Sequence, residues 1–172
     1  NIPDYCIDEV SDHALSLLFA INRMILPDSR MVKLGKWNEV KKENRVYRLK
    51  DATLGVIGFG RIGRRLANKA KSLGLNVIAY DPYIRENVYD GVNILSFEEV
   101  ISSSDILSLH VPLTDETNHL ISHKELANMK NDVILINVSR GGLIDEKALL
   151  DYLDNGRVRG VGLDVMEDHN PS

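Results

Sequence analysis

The feature that most constrains this chain is the turn Gly58-Phe59-Gly60-Arg61-Ile62-Gly63, set between an apolar run and a helical stretch. Three glycines at that spacing are weak evidence alone. Their context makes them informative. Thr53-Leu54-Gly55-Val56-Ile57 before them reads as a buried parallel strand, and Ile62 to Leu73 after them, with Leu66, Ala67 and Ala70 on one face, reads as a helix. Gly58 permits the tight turn, Gly60 leaves no side chain to block a pyrophosphate approaching the backbone, and Gly63 lets the helix lie close on the strand. The amides near Arg61 and Ile62 then face the phosphates, helped by the helix dipole. A strand-to-helix turn that binds nothing is the plain alternative.

The pattern repeats downstream. Strands are expected at Asn76–Tyr80, Val92–Ile94, Ile106–Leu109, Val133–Ile136 and Val161–Leu163. Helices are expected at 96–102, opened by a capping box of Ser96 and Glu99, at His123–Met129 and at Glu146–Asp154. Strands alternating with helices imply βαβ units. The fold class is therefore α/β, a Rossmann-type doubly wound parallel sheet with helices on both faces and strand order 3-2-1-4-5-6. Residues 1–50 stand apart in texture. A helix over 8–25, with Val10, Ala14, Leu17, Leu18, Ile21 and Ile25 on one face, is ended by Pro27-Asp28-Ser29, which could cap a short second helix toward Trp37. Residues 38–52 read as a surface connection. The division is thus 1–50, opening helices and connection with a candidate dimer surface over 8–37, and 51–172, the dinucleotide unit.

Asp81 ends the second strand, 18 residues after Gly63. An acid there can accept hydrogen bonds from both adenosine ribose hydroxyls and repels a 2′-phosphate, so NAD is expected over NADP. An Asp-Pro turn, with Pro82 next, would also explain it.

Composition narrows the partners. Net charge is −4, which argues against nucleic acid, whose phosphates need a concentrated basic surface. The densest basic stretch, Lys41, Lys42, Arg45, Arg48 and Lys50, is interrupted by Glu43 and reads as a solvated segment. The single cysteine, Cys6, cannot form an internal disulfide, so a reducing, cytoplasmic setting is expected. No apolar run approaches the ~18 residues of a membrane span. No basic-then-apolar signal segment opens the chain. The start at Asn1 without Met, and the end at His169-Asn170-Pro171-Ser172, suggest a fragment of a longer chain.

Three further stretches carry a resemblance: Leu109-His110-Val111-Pro112-Leu113-Thr114, Asn137-Val138-Ser139-Arg140-Gly141-Gly142, and Gly162-Leu163-Asp164-Val165. With Gly58 to Gly63, and with the opening Asp4-Tyr5-Cys6 and Glu9-Val10-Ser11-Asp12-His13-Ala14, the chain resembles the D-isomer-specific 2-hydroxyacid dehydrogenases, among them phosphoglycerate, glycerate, lactate and formate dehydrogenases. The resemblance implies that His110, Val111 and Pro112 lie near the nicotinamide-side ribose and that Thr117 donates to the pyrophosphate. It implies that Asn137, Val138 and Ser139 line the nicotinamide end largely through backbone atoms, that Asp164 receives the nicotinamide carboxamide, and that Arg140 holds the carboxylate and carbonyl of a small 2-hydroxy or 2-keto acid. Chemistry supports Arg140 separately. Hydride transfer to a 2-keto acid builds negative charge on the carbonyl oxygen, and a guanidinium can grip the carboxylate as a fork while polarising that oxygen. The family commonly pairs through this domain, so a homodimer is expected.

The resemblance also implies parts that lie outside this sequence: a proton-donating histidine from a downstream segment, and a discontinuous substrate domain. The family's Glu-Pro pair, which supplies the acid assisting that histidine, is irregular here. The chain reads Met166-Glu167-Asp168-His169-Asn170-Pro171, and counting back from the proline gives Asn170. Glu167 is the nearest glutamate and is the candidate; Asp168 could serve instead, or His169 stands where the acid belongs. His119 and His123 have a metal-like i, i+4 spacing but lack a completing ligand, so they read as solvated and no metal is expected. Transcriptional corepressors of the family share these motifs, and an NAD-sensing regulatory module is the alternative function. An adenosylhomocysteinase-like hydrolase is opposed by the Arg140 motif.

Overall fold

The computed structural model describes residues 6–39 and 48–167. The sequence readings that fall on Asp4-Tyr5, on Lys41, Lys42 and Arg45, and on Asp168 and His169 lie outside the described residues.

Apolar runs without polar alternation become strands covered on both faces. β1 (Thr53–Ile57), β5 (Ile106–Leu109) and β6 (Val133–Asn137) bury almost every residue. Together with β2 (Asn76–Tyr80), β3 (Val88–Tyr89), β4 (Val92–Ile94) and β7 (Val158–Leu163) they form one sheet in the order β3-β4-β2-β1-β5-β6-β7. All pairings are parallel except β3 with β4. Without β3 this is the expected 3-2-1-4-5-6 order, and the chain changes direction between β1 and β5.

Alternate residues of the strands feed two apolar cores. Leu54, Val56, Ile106 and Ile134 meet Ala14, Leu18, Leu66 and Ala70 on one face. Ile57, Leu107, Leu109 and Leu135 meet Val100, Ile101, Leu126 and Leu149 on the other. The first face carries α1 (Ile7–Asn22) and α3 (Arg61–Ser72); the second carries α4 (Phe97–Ser103), α5 (His123–Asn128) and α6 (Glu146–Asp154). The expected capping box opens α4: Glu99 N–H donates to Ser96 Oγ at 3.2 Å and Ser96 N–H to Glu99 Oε2 at 2.9 Å.

β7 begins three residues before the expected Val161, and two elements differ more from expectation. The first helix stops at Asn22, not at Pro27. Met24 turns the chain in the left-handed region (φ 54°), and α2 (Ile25–Lys33) begins at once. Pro27 sits in the first turn of α2, where its missing N–H costs no helical hydrogen bond. Apolar spacing runs on through Ile21 and Ile25, so periodicity carries no trace of the break. The second is β3, a two-residue strand folded back on β4 through Asp90 (φ 53°) and Gly91 (φ 68°). Asp-Gly between apolar residues is a hairpin signal that the sequence reading passed over.

α1 is fixed at both ends of its packing. Asp8 accepts from Arg65 Nε at 2.6 Å, and Lys69 Nζ lies 2.5 Å from Asp12 Oδ1. On β7, a Cβ at Gly160 would meet Ile21 Cγ2 at 2.7 Å and one at Gly162 would meet Leu17 Cβ at 2.9 Å, so these glycines let the helix lie directly on the strand. Among the described residues no helix is long and apolar enough to cross a membrane.

Candidate cofactor and substrate cleft

The glycine turn leaves β1 under close constraint. Gly58 has φ 92°, and its N–H donates to Tyr80 O at 2.8 Å. A Cβ there would meet His110 O at 2.6 Å and Val111 Cγ1 at 2.8 Å. A Cβ on Gly63 would run into Gly58 O and approach Val56 Cγ1 to 3.1 Å. Gly60 is different: among the described residues nothing stands within 4 Å of where its Cβ would be. It is the N-cap of α3 and, as glycine, supplies no side chain to cap it. The space beside it and the amide-bearing helix start are what a pyrophosphate requires, so the residues present fit a dinucleotide.

Asp81 ties this turn to the end of β2. Its Oδ2 accepts from Phe59 N–H at 2.9 Å and its Oδ1 from Tyr83 N–H at 3.0 Å. The Asp-Pro turn and the ribose acid are therefore compatible. Each carboxylate oxygen accepts one backbone N–H and keeps a further lone pair for a hydroxyl donor.

From this turn a cleft runs across the carboxyl ends of the strands, at the reversal between β1 and β5 where such sheets collect ligands. One half, about 550 Å³, is lined by Gly58, Gly60, Asp81, His110 and Thr117 among others. The other, also about 550 Å³, is lined by Val10, Ile62, Val138, Ser139 and Arg140, and both halves share His110, Val111 and Pro112. His110 Nε2 lies 2.8 Å from the buried Ser108 Oγ. Burial lowers the imidazole pKa from 6.5 to about 4, so the ring is neutral at pH 7. Ser108 is the partner the sequence reading missed; its place two residues before His110, on the same side of the strand, was the available signal.

Thr117 lines the cleft but spends its hydroxyl on the loop. Its Oγ1 donates to Pro112 O at 2.7 Å and accepts from Thr114 N–H at 2.8 Å. Asn137 is fully buried beneath the next turn: Nδ2 donates to Arg140 O at 2.8 Å and Oδ1 accepts from Ser139 N–H at 3.0 Å. Ser139 Oγ donates to Leu109 O at 2.9 Å. Arg140, exposed at the cleft, is thus presented by a turn braced from below.

Past β7, Asp164 N–H donates to Asn137 O at 3.0 Å, and its Oδ1 lies 3.2 Å from His13 Nε2 on α1. Glu167 is held by His119, with Nε2 to Oε1 at 2.9 Å, and its N–H donates to Glu146 Oε1 at 2.7 Å. A Cβ on Gly141 would collide with the Met166-Glu167 backbone, which places the chain after β7 directly against the Arg140 turn. His119 is therefore paired rather than merely solvated, and His123 lies 3.7 Å from Asp151 Oδ2. Among the described residues no three His, Cys, Asp or Glu side chains stand together as metal ligands.

The family model described as "D-isomer specific 2-hydroxyacid dehydrogenase, NAD binding domain" matches residues 15–172. Glycerate dehydrogenase of Methylorubrum extorquens is 38% identical over 175 residues, covering 99% of this chain and 54% of that protein. D-3-phosphoglycerate dehydrogenase of Methanocaldococcus jannaschii is 40% identical over 174 residues, covering 99% of this chain and 33% of that protein. Among solved structures, D-lactate dehydrogenase from Aquifex aeolicus complexed with NAD and lactic acid superposes with TM-score 0.90 at 36% identity, over 97% of this chain and 50% of that one. The chain thus spans a third to about half the length of these relatives. The corepressor alternative finds no support in these matches.

Proposed function

The chain belongs to the D-isomer specific 2-hydroxyacid dehydrogenases, as their NAD-binding domain, and from that premise we propose that its cleft is the cofactor half of an enzyme moving a hydride between NAD and a small D-2-hydroxy or 2-keto acid. The observation that carries the reading is one line of groups along the cleft: open space beside Gly60, the Asp81 carboxylate, and Arg140 on its braced turn. Gly58, Gly60, Arg61, Ile62 and Gly63 hold the pyrophosphate and Asp81 the adenosine ribose. His110, Val111, Pro112 and Thr117 flank the centre, and Asn137, Val138, Ser139 and Asp164 shape the nicotinamide end. When bound, NAD supplies or accepts the hydride. Arg140 grips the substrate carboxylate and offsets the charge that gathers on its carbonyl oxygen.

His110, kept neutral by burial and bonded to Ser108, is not assigned as the proton donor. That donor is assigned to a segment beyond this chain, with Glu167, held by His119 beside the Arg140 turn, as the acid assisting it. Residues 1–50 and 51–172 remain the proposed division, with the substrate domain contributed by further chain. A cytoplasmic setting is proposed from the single cysteine.

A homodimer is proposed through α2. The apolar face of α1 is spent on its own domain, whereas Leu26 (73% exposed), Leu34 (61%) and Trp37 (69%) are open.

Calorimetric titration of the chain tests the cofactor assignment: NADH is expected to bind more tightly than NADPH, and the reverse order would contradict the role of Asp81. In the longer protein, Arg140→Ala should abolish turnover of 2-keto acids and spare NADH binding. Unchanged turnover would remove Arg140 from the mechanism.

A further inference from the structure

α1 meets the cleft through Val10 and the chain just past β7 through His13. Val10 lines the half that holds Arg140. His13, three residues on and so on the same helical face, brings Nε2 to 3.2 Å from Asp164 Oδ1. The helix cannot drift easily. Asp8 and Asp12 bind Arg65 and Lys69 of α3, and Leu17 and Ile21 seat over Gly162 and Gly160 of β7. The acid it meets is fixed at its backbone by the Asp164 N–H to Asn137 O bond at 3.0 Å. His13 engages the Asp164 side chain, and both side chains are about half exposed.

We infer that His13 is a positioning residue for the nicotinamide end: its Nε2–H donates to Asp164 Oδ1 and turns Oδ2 toward the carboxamide N–H group of the bound dinucleotide. This rests on the reading of Asp164 as the carboxamide acceptor. An exposed pair of this kind contributes little to folding stability. Its effect lies in pre-orienting an acceptor that would otherwise sample several rotamers before binding.

ADP-ribose, which shares every part of NADH except the nicotinamide, separates this role from a structural one. Calorimetric titrations of the chain with both ligands are expected to show His13→Leu weakening NADH by about five-fold, the worth of one oriented hydrogen bond, with ADP-ribose unchanged. His13→Gln, whose amide nitrogen reaches where Nε2 stands, should recover most of the NADH affinity. In an Asp164→Asn background, His13→Leu should add no further loss. Equal weakening of NADH and ADP-ribose, or NADH binding indifferent to His13→Leu, overturns the inference while the cofactor reading stands. Failure of the unsubstituted chain to bind NADH overturns the cofactor reading, and this inference with it.

Discussion

Gly60 and Gly63 stand three positions apart in one turn, yet the structure asks opposite things of them. Gly60 faces open space at φ −71°, a conformation any residue adopts, so Gly60→Val should leave the melting temperature nearly unchanged. The same valine would fill the space proposed for the pyrophosphate, and NADH affinity should fall at least ten-fold, about 1.4 kcal/mol, read by calorimetry. Gly63→Ala puts its methyl against Gly58 O, so α3 must move off the sheet. A loss of about 1–3 kcal/mol in chemical denaturation is expected, with binding lost only as a consequence. If Gly60→Val destabilised the fold as much as Gly63→Ala, the open space would not be a ligand site. His110 is a third residue whose environment sets behaviour. Its folded pKa near 4 lies below the unfolded 6.5, so between these values the unfolded chain binds more protons. The stabilisation is present above pH 6.5 and is lost as pH falls toward 4, by about 3 kcal/mol. Denaturation midpoints at pH 7.5 and 4.5 should fall apart in the native chain and converge in His110→Gln.

At the scale of elements, the braced turn after β6 is the part closest to chemistry. Asn137→Ala would strand Arg140 O and Ser139 N–H above a buried site, costing about 1–3 kcal/mol of stability. In the longer protein the turnover number should fall more than NADH affinity, because the loosened turn carries Arg140 and not the pyrophosphate contacts. A parallel loss of both would mean that Asn137 only supports the fold. What could be read from sequence follows from how local each determinant is. β1, β5 and β6 were legible because strands buried on both faces are apolar runs, and the glycine turn because steric exclusion leaves only glycine at Gly58 and Gly63. The break at Met24 was not, because the apolar spacing continues through it. The β3 hairpin was signalled by Asp90-Gly91 but is two residues long, and its tertiary role, Tyr89 edge-on to Phe59 of the glycine turn, has no local signature. The pairs His13–Asp164 and His119–Glu167 join residues far apart in the chain, and only the folded sheet brings them within reach.

For the whole molecule, the uneven burial of the two opening helices bears on assembly. α1 buries Ala14, Leu15 and Leu18 against its own domain, while α2 buries none of its nine residues among those described. Ile25, Leu26, Val32 and Leu34, with Trp37 beyond them, remain exposed on one continuous stretch of chain. Aromatic and aliphatic side chains gathered in this way mark association surfaces, where burying them releases about 25 cal/mol for each Å² of apolar area. Sedimentation of the native chain at micromolar concentration should therefore give the mass of two copies. Leu26→Glu with Trp37→Ser should give the mass of one. The double variant's circular dichroism and NADH affinity should match the native chain, because these residues line neither half of the cleft. A native chain that stays monomeric at high concentration would leave α2 as a surface of this domain alone. A double variant that loses NADH binding along with dimerisation would instead tie the cleft to the partner copy, which the position of α1 between α2 and the nicotinamide end makes the more consequential result.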